Sequence, residues 1–290
     1  MSAATAAPGE VVRVRVPPRT FRSELRAIKV VWGRELIRFR SDRMRILTSL
    51  IQPLLFLFVL GSGLQQLATA STGGVDLKTF IYPGILCMSV MFTAMFSAAS
   101  IVWDREFGFM REMMVAPVRR SSIVIGKCLG GATVASLQGV ILIALAGAVH
   151  VPYDPLMILG IFGLQLLLAF SVTAFGIMVA ARITQMQSFM AVMQMVVTPM
   201  YFLAGAFFPV AALPAWLTVL NRLDPLTYAV DPMRRLVFSQ LDISASARRV
   251  LDPGVSLWGW RVPAGLEALF VLALGLAMLA IAIVEFSSTE

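Results

Sequence analysis

The chain has 290 residues, of which 58% are hydrophobic and only 14% charged, and its formal net charge is +8. Soluble domains carry about 25% charged residues, so this composition excludes an ordinary soluble enzyme and points to a chain that sits in lipid. The positive charge does not argue for nucleic acid, because its positions follow the ends of the apolar blocks. Cys87 and Cys128 have no CxxC spacing and fall at or inside those blocks, so they read as free thiols.

Residues 1–19 are rich in Ala, Pro and Arg, lack the apolar stretch of a signal peptide, and read as a disordered tail. The remainder, 20–290, reads as one transmembrane domain. From Thr20, a candidate N-cap, apolar residues recur at Phe21, Leu25, Ile28, Trp32, Leu36 and Phe39. That spacing predicts one face of a helix over 20–42, with Arg22, Arg26, Lys29 and Arg38 off it. A basic amphipathic helix of this kind is expected in the membrane interface; a solvated helix packed on another subunit is the alternative.

Six apolar blocks follow, at about 46–67, 79–102, 129–150, 156–180, 187–208 and 264–285. Each is close to the twenty or so residues that about 30 Å of hydrocarbon requires. The first contains Gln52-Pro53 and ends in Gly61-Ser62-Gly63, where the helix is expected to unwind, and Pro199 interrupts the fifth. Of the 24 Lys and Arg, 17 fall on the side of the N-terminus. The other 7 lie opposite, mostly in the long segment 209–263, where charge weighs little. Both termini are therefore expected in the cytoplasm and the protein in a plasma membrane.

Between the second and third blocks the chain interrupts its apolar character with WDREFGFMREMMVAP, residues 103–117. Charges of alternating sign are interleaved with Phe and Met, Pro117 breaks the run, and Ser121-Ser122 can cap a new helix. The pattern predicts a short amphipathic helix continuous with two membrane helices. On periodicity alone it is equally an ordinary connector with solvated charges. A phosphate-binding loop is excluded, because Ser121 and Cys128 stand where GxxxxGK[ST] needs Gly and Ser or Thr. His150 is the single histidine, so neither a metal site nor a His-based catalytic set is expected.

The order Arg105-Glu106, Gly108, Glu112, Met113-Met114, Pro117 and Gly126-Lys127 resembles the cytoplasmic loop of type-2 ATP-binding-cassette (ABC) exporter permeases. Pro225, Leu226, Tyr228 and Arg234, in LDPLTYAVDPMRRLVF, are similar to that family's run before its last span. The resemblance covers about 24–286 and is nearest to the drug- and lipid-exporting branch. It implies an all-α polytopic fold with six transmembrane helices, an N-terminal interfacial helix, a short cytoplasmic coupling helix and external re-entrant helices. It further implies that this chain has no ATPase site and binds no cofactor. ATP and Mg would sit on a separate cytoplasmic cassette ATPase, and two permease chains, identical or sibling, would dock on two such subunits. Arg105, Glu106 and Glu112 would then make ionic contacts with the ATPase, and Phe109, Met110 and Met113 apolar ones. Segment 209–238 would form an external gate, with Pro225, Tyr228 and Arg234 as its candidates.

Within the second block Ser89, Thr93, Ser97 and Ser100 share a helical face, which serves either close helix packing or a substrate path. The fifth block carries Met186, Met190, Met193 and Met195 with Gln194, either adaptable core or an adaptable wall for lipophilic cargo. Gln52, Gln138 and Gln165 are too scattered to define a site. Glu267, one turn after Pro263, is read as a helix-start carboxylate near water. Trp216, Leu220 and Leu223 share a face of a short helix, and 239–262, with Trp258 and Trp260, reads as a surface loop. The expected function is export of a hydrophobic or amphiphilic compound (drug, lipid or glycolipid) by an ATP-driven complex. The expected partners are the ATPase, a second permease chain and membrane lipid, with no nucleic acid. The alternatives are a carrier driven by an ion gradient and a membrane scaffold without transport.

Overall fold

The computed structural model describes residues 20–65, 75–109, 118–208, 214–241, 244, 248, 251–257 and 260–288. Helix α1 (Phe21–Ser41) starts as its sequence predicts, on a capping box in which Thr20 and Ser23 exchange side-chain bonds with each other's backbone. Asp42 ends it, and α2 (Arg43–Leu54) runs on through a π-helical stretch, Leu55–Leu60, to a last turn, Gly61–Gly63. Pro53 removes one rung of the ladder, and the helix widens directly after it instead of unwinding at the glycines.

Helix α3 (Leu77–Glu106), capped by Asp76, is the centre of the bundle and is buried along most of its length. Around it stand α4 (Arg120–Ile143), α5 (Pro155–Arg182) and α6 (Met186–Leu203). Helix α9 (Ala264–Ser288) packs along α5 and leaves most of its surface outward. Two short helices, α7 (Ala215–Leu223) and α8 (Thr227–Ser239), close one end of the bundle, with a two-residue ribbon, β1 (Ser256–Leu257) and β2 (Trp260–Arg261), beside them. Apart from that ribbon the described fold is all-α, and six of its helices are long and apolar enough to cross a membrane.

Three expectations change. Helix α4 begins at Arg120, beside the Ser121-Ser122 start that the sequence predicts, and Lys127, the charge that ended the apolar block, is buried within the bundle by ionic partners instead of lying in a loop. Segment 239–262 is no plain surface loop where it is described. Leu251, Val255 and Val262 are buried, Val262 N–H donates to the Val255 carbonyl, and Arg235 donates to that of Val262. Trp260 is exposed, and Trp258 lies outside the described residues.

Helix α1 lies against its own chain. Gly126 and Gly130, four apart on α4, remove two side chains from the contact. A Cβ on Gly126 would stand 2.8 Å from Val31 Cβ and 3.0 Å from the Ile28 carbonyl oxygen, and one on Gly130 2.7 Å from Glu35 Cβ. Trp32 Nε1 donates to Thr133 Oγ1 across the same seam at 3.1 Å. The buried residues are therefore Val31 and Glu35, offset from the expected apolar face, of which Phe21 and Leu25 remain exposed. Gly126→Val is expected to force α1 away from α4 and destabilise the purified protein by about 1–3 kcal/mol in thermal or denaturant unfolding. Wild-type stability in that variant would show that the seam is not close-packed.

Candidate functional site

The end of the bundle that carries α1 and the 107–119 connection, here the basic end, is organised by one buried cation. The Lys127 side chain is 2% exposed. Its ammonium donates to Asp104 Oδ2 at 2.6 Å, Ser100 Oγ at 3.0 Å and Glu35 Oε1 at 3.1 Å, so all three protons have acceptors. Asp104, 1% exposed, also accepts from Arg34 at 2.7 Å and Arg38 at 3.2 Å. Helices α1, α3 and α4 thus share one ionic knot. None of these charges is buried unpaired, which low dielectric would forbid.

The next two residues of α3 extend the knot to the remaining helices. Arg105 Nη1 donates to the carbonyls of Ala180, Ala181 and Ile183, the otherwise unsatisfied end of α5, and its guanidinium lies over the Phe286 ring of α9. Glu106, though exposed, accepts from Met186 N–H at the start of α6. Arg182 bonds Glu285, and Arg120 donates to the Ser287 carbonyl, fastening α5 and α4 to the end of α9. Helix α4 is capped from a distance. In place of the expected Ser121-Ser122 cap, Glu24 of α1 accepts from Arg119 N–H at 3.1 Å and Ser122 Oγ at 2.6 Å. Trp103, Phe107 and Phe109 are exposed beside these polar groups. Met110, Glu112 and Met113 lie outside the described residues.

The structure does not gather the path candidates into one site. Ser89, Thr93 and Ser97 are buried within the bundle, and Thr93 Oγ1 donates to the Ser89 carbonyl. Ser97 packs on Gly131, where an added Cβ would be 3.0 Å from Ser97 Cβ and 2.6 Å from Thr173 Cγ2. That face of α3 is a helix-packing surface. On α6, Met193 is buried and Met190 half-buried, while Gln194 is exposed and donates to Thr198 Oγ1.

The gate candidates occupy the opposite end. Pro225 sits in the turn between α7 and α8. Tyr228 hydroxyl donates to the Arg222 carbonyl at 2.8 Å, with its ring 4.7 Å from that of Phe270. Arg234 is buried, donates to the Gly205 carbonyl past the end of α6, and lies 4.7 Å from the Phe80 ring centroid. Beside it Arg235 binds Asp231 and, at 3.0 Å, Glu267. Glu267 is fully buried rather than wetted, because Arg235 supplies the counter-charge that water was expected to replace. In the α7–α8 turn, Asp224 Oδ1 accepts from Leu226 N–H while Oδ2 has no partner. Burial pushes this carboxyl up to about 7 against the opposing bonds from Leu226 and Thr227.

Glu24, Glu35, Asp104 and Lys127 were not among the sequence candidates. A usable signal was present: Ser100 and Asp104 are one turn apart on α3, and Glu35 follows the Ile28–Val31 edge of α1.

Two outcomes follow from these geometries. Lys127→Met leaves Asp104 to Arg34 and Arg38 but leaves buried Glu35 with only Arg34 at 3.8 Å, and is expected to destabilise by about 1–3 kcal/mol. Adding Glu35→Gln should restore part of the loss in thermal unfolding, and an undiminished Lys127→Met protein would contradict the knot. For Asp224, the folded carboxyl binds its proton more tightly than an unfolded one with pKa about 3.9. Stability contributed at low pH is therefore lost as pH rises from there through about 7. Asp224→Asn should flatten that part of the stability–pH curve, and an unchanged slope would assign it to another group.

Comparison with known proteins converges on one family. The family model described as "ABC-2 type transporter" matches residues 26–238. Nodulation protein J of Rhizobium leguminosarum bv. viciae is 30% identical over 218 residues, covering 72% of this chain and 82% of its own length. Transport permease ycf38 of Cyanophora paradoxa is 28% identical over 211 residues, 71% of this chain and 72% of that protein. The inner membrane transport permease YadH of Escherichia coli (strain K12) is 24% identical over 212 residues, 72% of this chain and 81% of that protein. A match that runs from within α1 to the end of α8, on a bundle with six apolar helices, makes this multi-pass membrane chain a member of the ABC-2 type transporter family.

Proposed function

We propose that the chain is the permease subunit of an ATP-driven exporter of hydrophobic or amphiphilic compounds, in a plasma membrane with both termini in the cytoplasm. ATP and Mg belong to a cassette ATPase partner, and a second permease chain completes the pathway. The observation that carries this reading is the last turn of α3. In three consecutive residues it binds α1 and α4 through Asp104, α5 through Arg105 and α6 through Glu106. Phe107–Phe109, the described residues of the insert beyond that turn, follow it directly, and Phe107 and Phe109 are exposed. A displacement imposed on the insert by an ATPase therefore reaches four helices through short, charge-assisted bonds.

By sequence, 17 of the 24 Lys and Arg fall on the N-terminal side of the apolar blocks, which supports a cytoplasmic placement of that side. Phe107 and Phe109, exposed at the head of the insert, are the apolar contacts for the ATPase. Arg105 and Glu106 act inside the chain by positioning α5 and α6, and Glu112, Met110 and Met113 complete the docking surface. Gln194 and Met195, exposed on α6, are the groups that cargo or a second chain would meet. An ion-coupled carrier is disfavoured. Asp104, Glu106, Glu267 and Glu285, the acidic residues of the six long helices, each have a charged or backbone partner inside the chain.

The test is export in vesicles containing the chain and its ATPase. Glu106→Arg with Glu112→Arg should leave ATP hydrolysis running while export of a lipophilic probe falls at least tenfold. Glu106→Gln, which keeps an acceptor for Met186 N–H, should retain most export. Normal export by the double variant would remove the coupling role, and gradient-driven transport without the ATPase would replace the whole reading.

A further inference from the structure

A crevice of about 150 Å³ opens on the flank of the bundle, among α3, α5, α6 and α9. Its inner wall is made by Met91, Leu168, Val197, Leu226 and Val271, all buried. Phe175, Met200, Leu274 and Met278 form the mouth and are only half-buried. The hydroxyl in the lining is that of Ser171, which donates to the Val271 carbonyl at 2.7 Å and so has no proton left to donate to a ligand. A dry apolar space of this size stays free of water and takes up hydrocarbon. The Pro225-Leu226 turn lies at one end of the crevice.

From this geometry we infer that the crevice is a binding site for the acyl chain of one bilayer phospholipid, held as a resident lipid. The occupant follows from what surrounds the mouth. Helices α5 and α9 expose Leu159, Leu166, Leu266, Leu269, Phe270 and Leu276, the surface that a membrane-spanning bundle presents to acyl chains. The crevice lining continues that surface inward with the same chemistry. The chain end reaches Met91 of the central helix and supports the Pro225-Leu226 turn from below. Headgroup recognition plays no part, because no charged side chain lines the space.

The probe is a phosphatidylcholine with a photoreactive diazirine near the end of one chain, added to the full chain in vesicles. Peptides containing Met91 or Val197 should be labelled, with equal yield for a phosphatidylglycerol carrying the same chain. Leu274→Trp and Met200→Trp, which narrow the mouth from two helices, should each cut that labelling at least tenfold, as should competition by long-chain but not dihexanoyl lipid. Labelling confined to other surfaces, or dependence on the headgroup, would overturn the site. Loss of label when ATP is added to the transporter complex would make the occupant cargo and also overturn the resident-lipid assignment. A Leu274→Cys disulfide between two copies would show instead that a second chain covers the mouth. None of these readouts requires export, so their failure is separate from failure of the transport reading.

Discussion

The Lys127 ammonium, enclosed by Asp104, Glu35 and Ser100, is the constraint on which the basic end depends. A cation withdrawn from water is tolerated only where its acceptors are held in place, and here they come from α1 and α3. The ion pairs act as a register device as much as a source of stability. Sliding α4 by one turn would carry the ammonium away from both carboxylates, whereas an all-apolar contact would tolerate many offsets. Close approach along the Gly126 and Gly130 seam brings Glu35 within reach, so packing and charge specify the same arrangement.

The two ends of the bundle solve the same problem with different means. At the basic end, Arg34, Arg38 and Arg105 reach in from partly exposed positions, so aliphatic stems cover apolar surface while guanidinium groups satisfy buried acceptors. At the opposite end two arginines, Arg234 and Arg235, are sunk. Arg234 is buried over an aromatic ring, and Arg235 bridges α8 to α9 through Asp231 and Glu267. Between them the middle of the bundle is held by apolar packing and small residues. Movement imposed at one end is best carried as rigid displacement of α3, the helix that both ends grip.

The sequence made the helical skeleton legible because hydropathy and bilayer thickness leave few choices. Apolar blocks became helices, Thr20 capped α1, and the face shared by Trp216, Leu220 and Leu223 became a short helix. What stayed hidden depended on partners distant in the chain. Lys127 looked like a loop residue because single-segment hydropathy counts a charge as exposed, and its acceptors lie 23 and 92 positions away. Glu267 looked wet for the same reason, since Arg235 was invisible from its own helix. The amphipathic face of α1 was misplaced because Gly126 and Gly130 invite contact without showing an apolar pattern of their own. Met110, Glu112 and Met113 lie outside the described residues, so their docking role rests on the family likeness.

The order of residues along the chain gives the buried ammonium a role in biogenesis. Glu35 and Asp104 are synthesised before Lys127, so both counter-charges exist when α4 enters the bilayer. A lysine at the centre of an inserting helix costs about 2.5–3.5 kcal/mol and one in its second turn, as Lys127 is, costs less, and an already inserted α3 can lower that barrier by offering its carboxylate. Chain growth from the N-terminus thus makes the helices earlier in the sequence a template on which the third membrane helix is accepted.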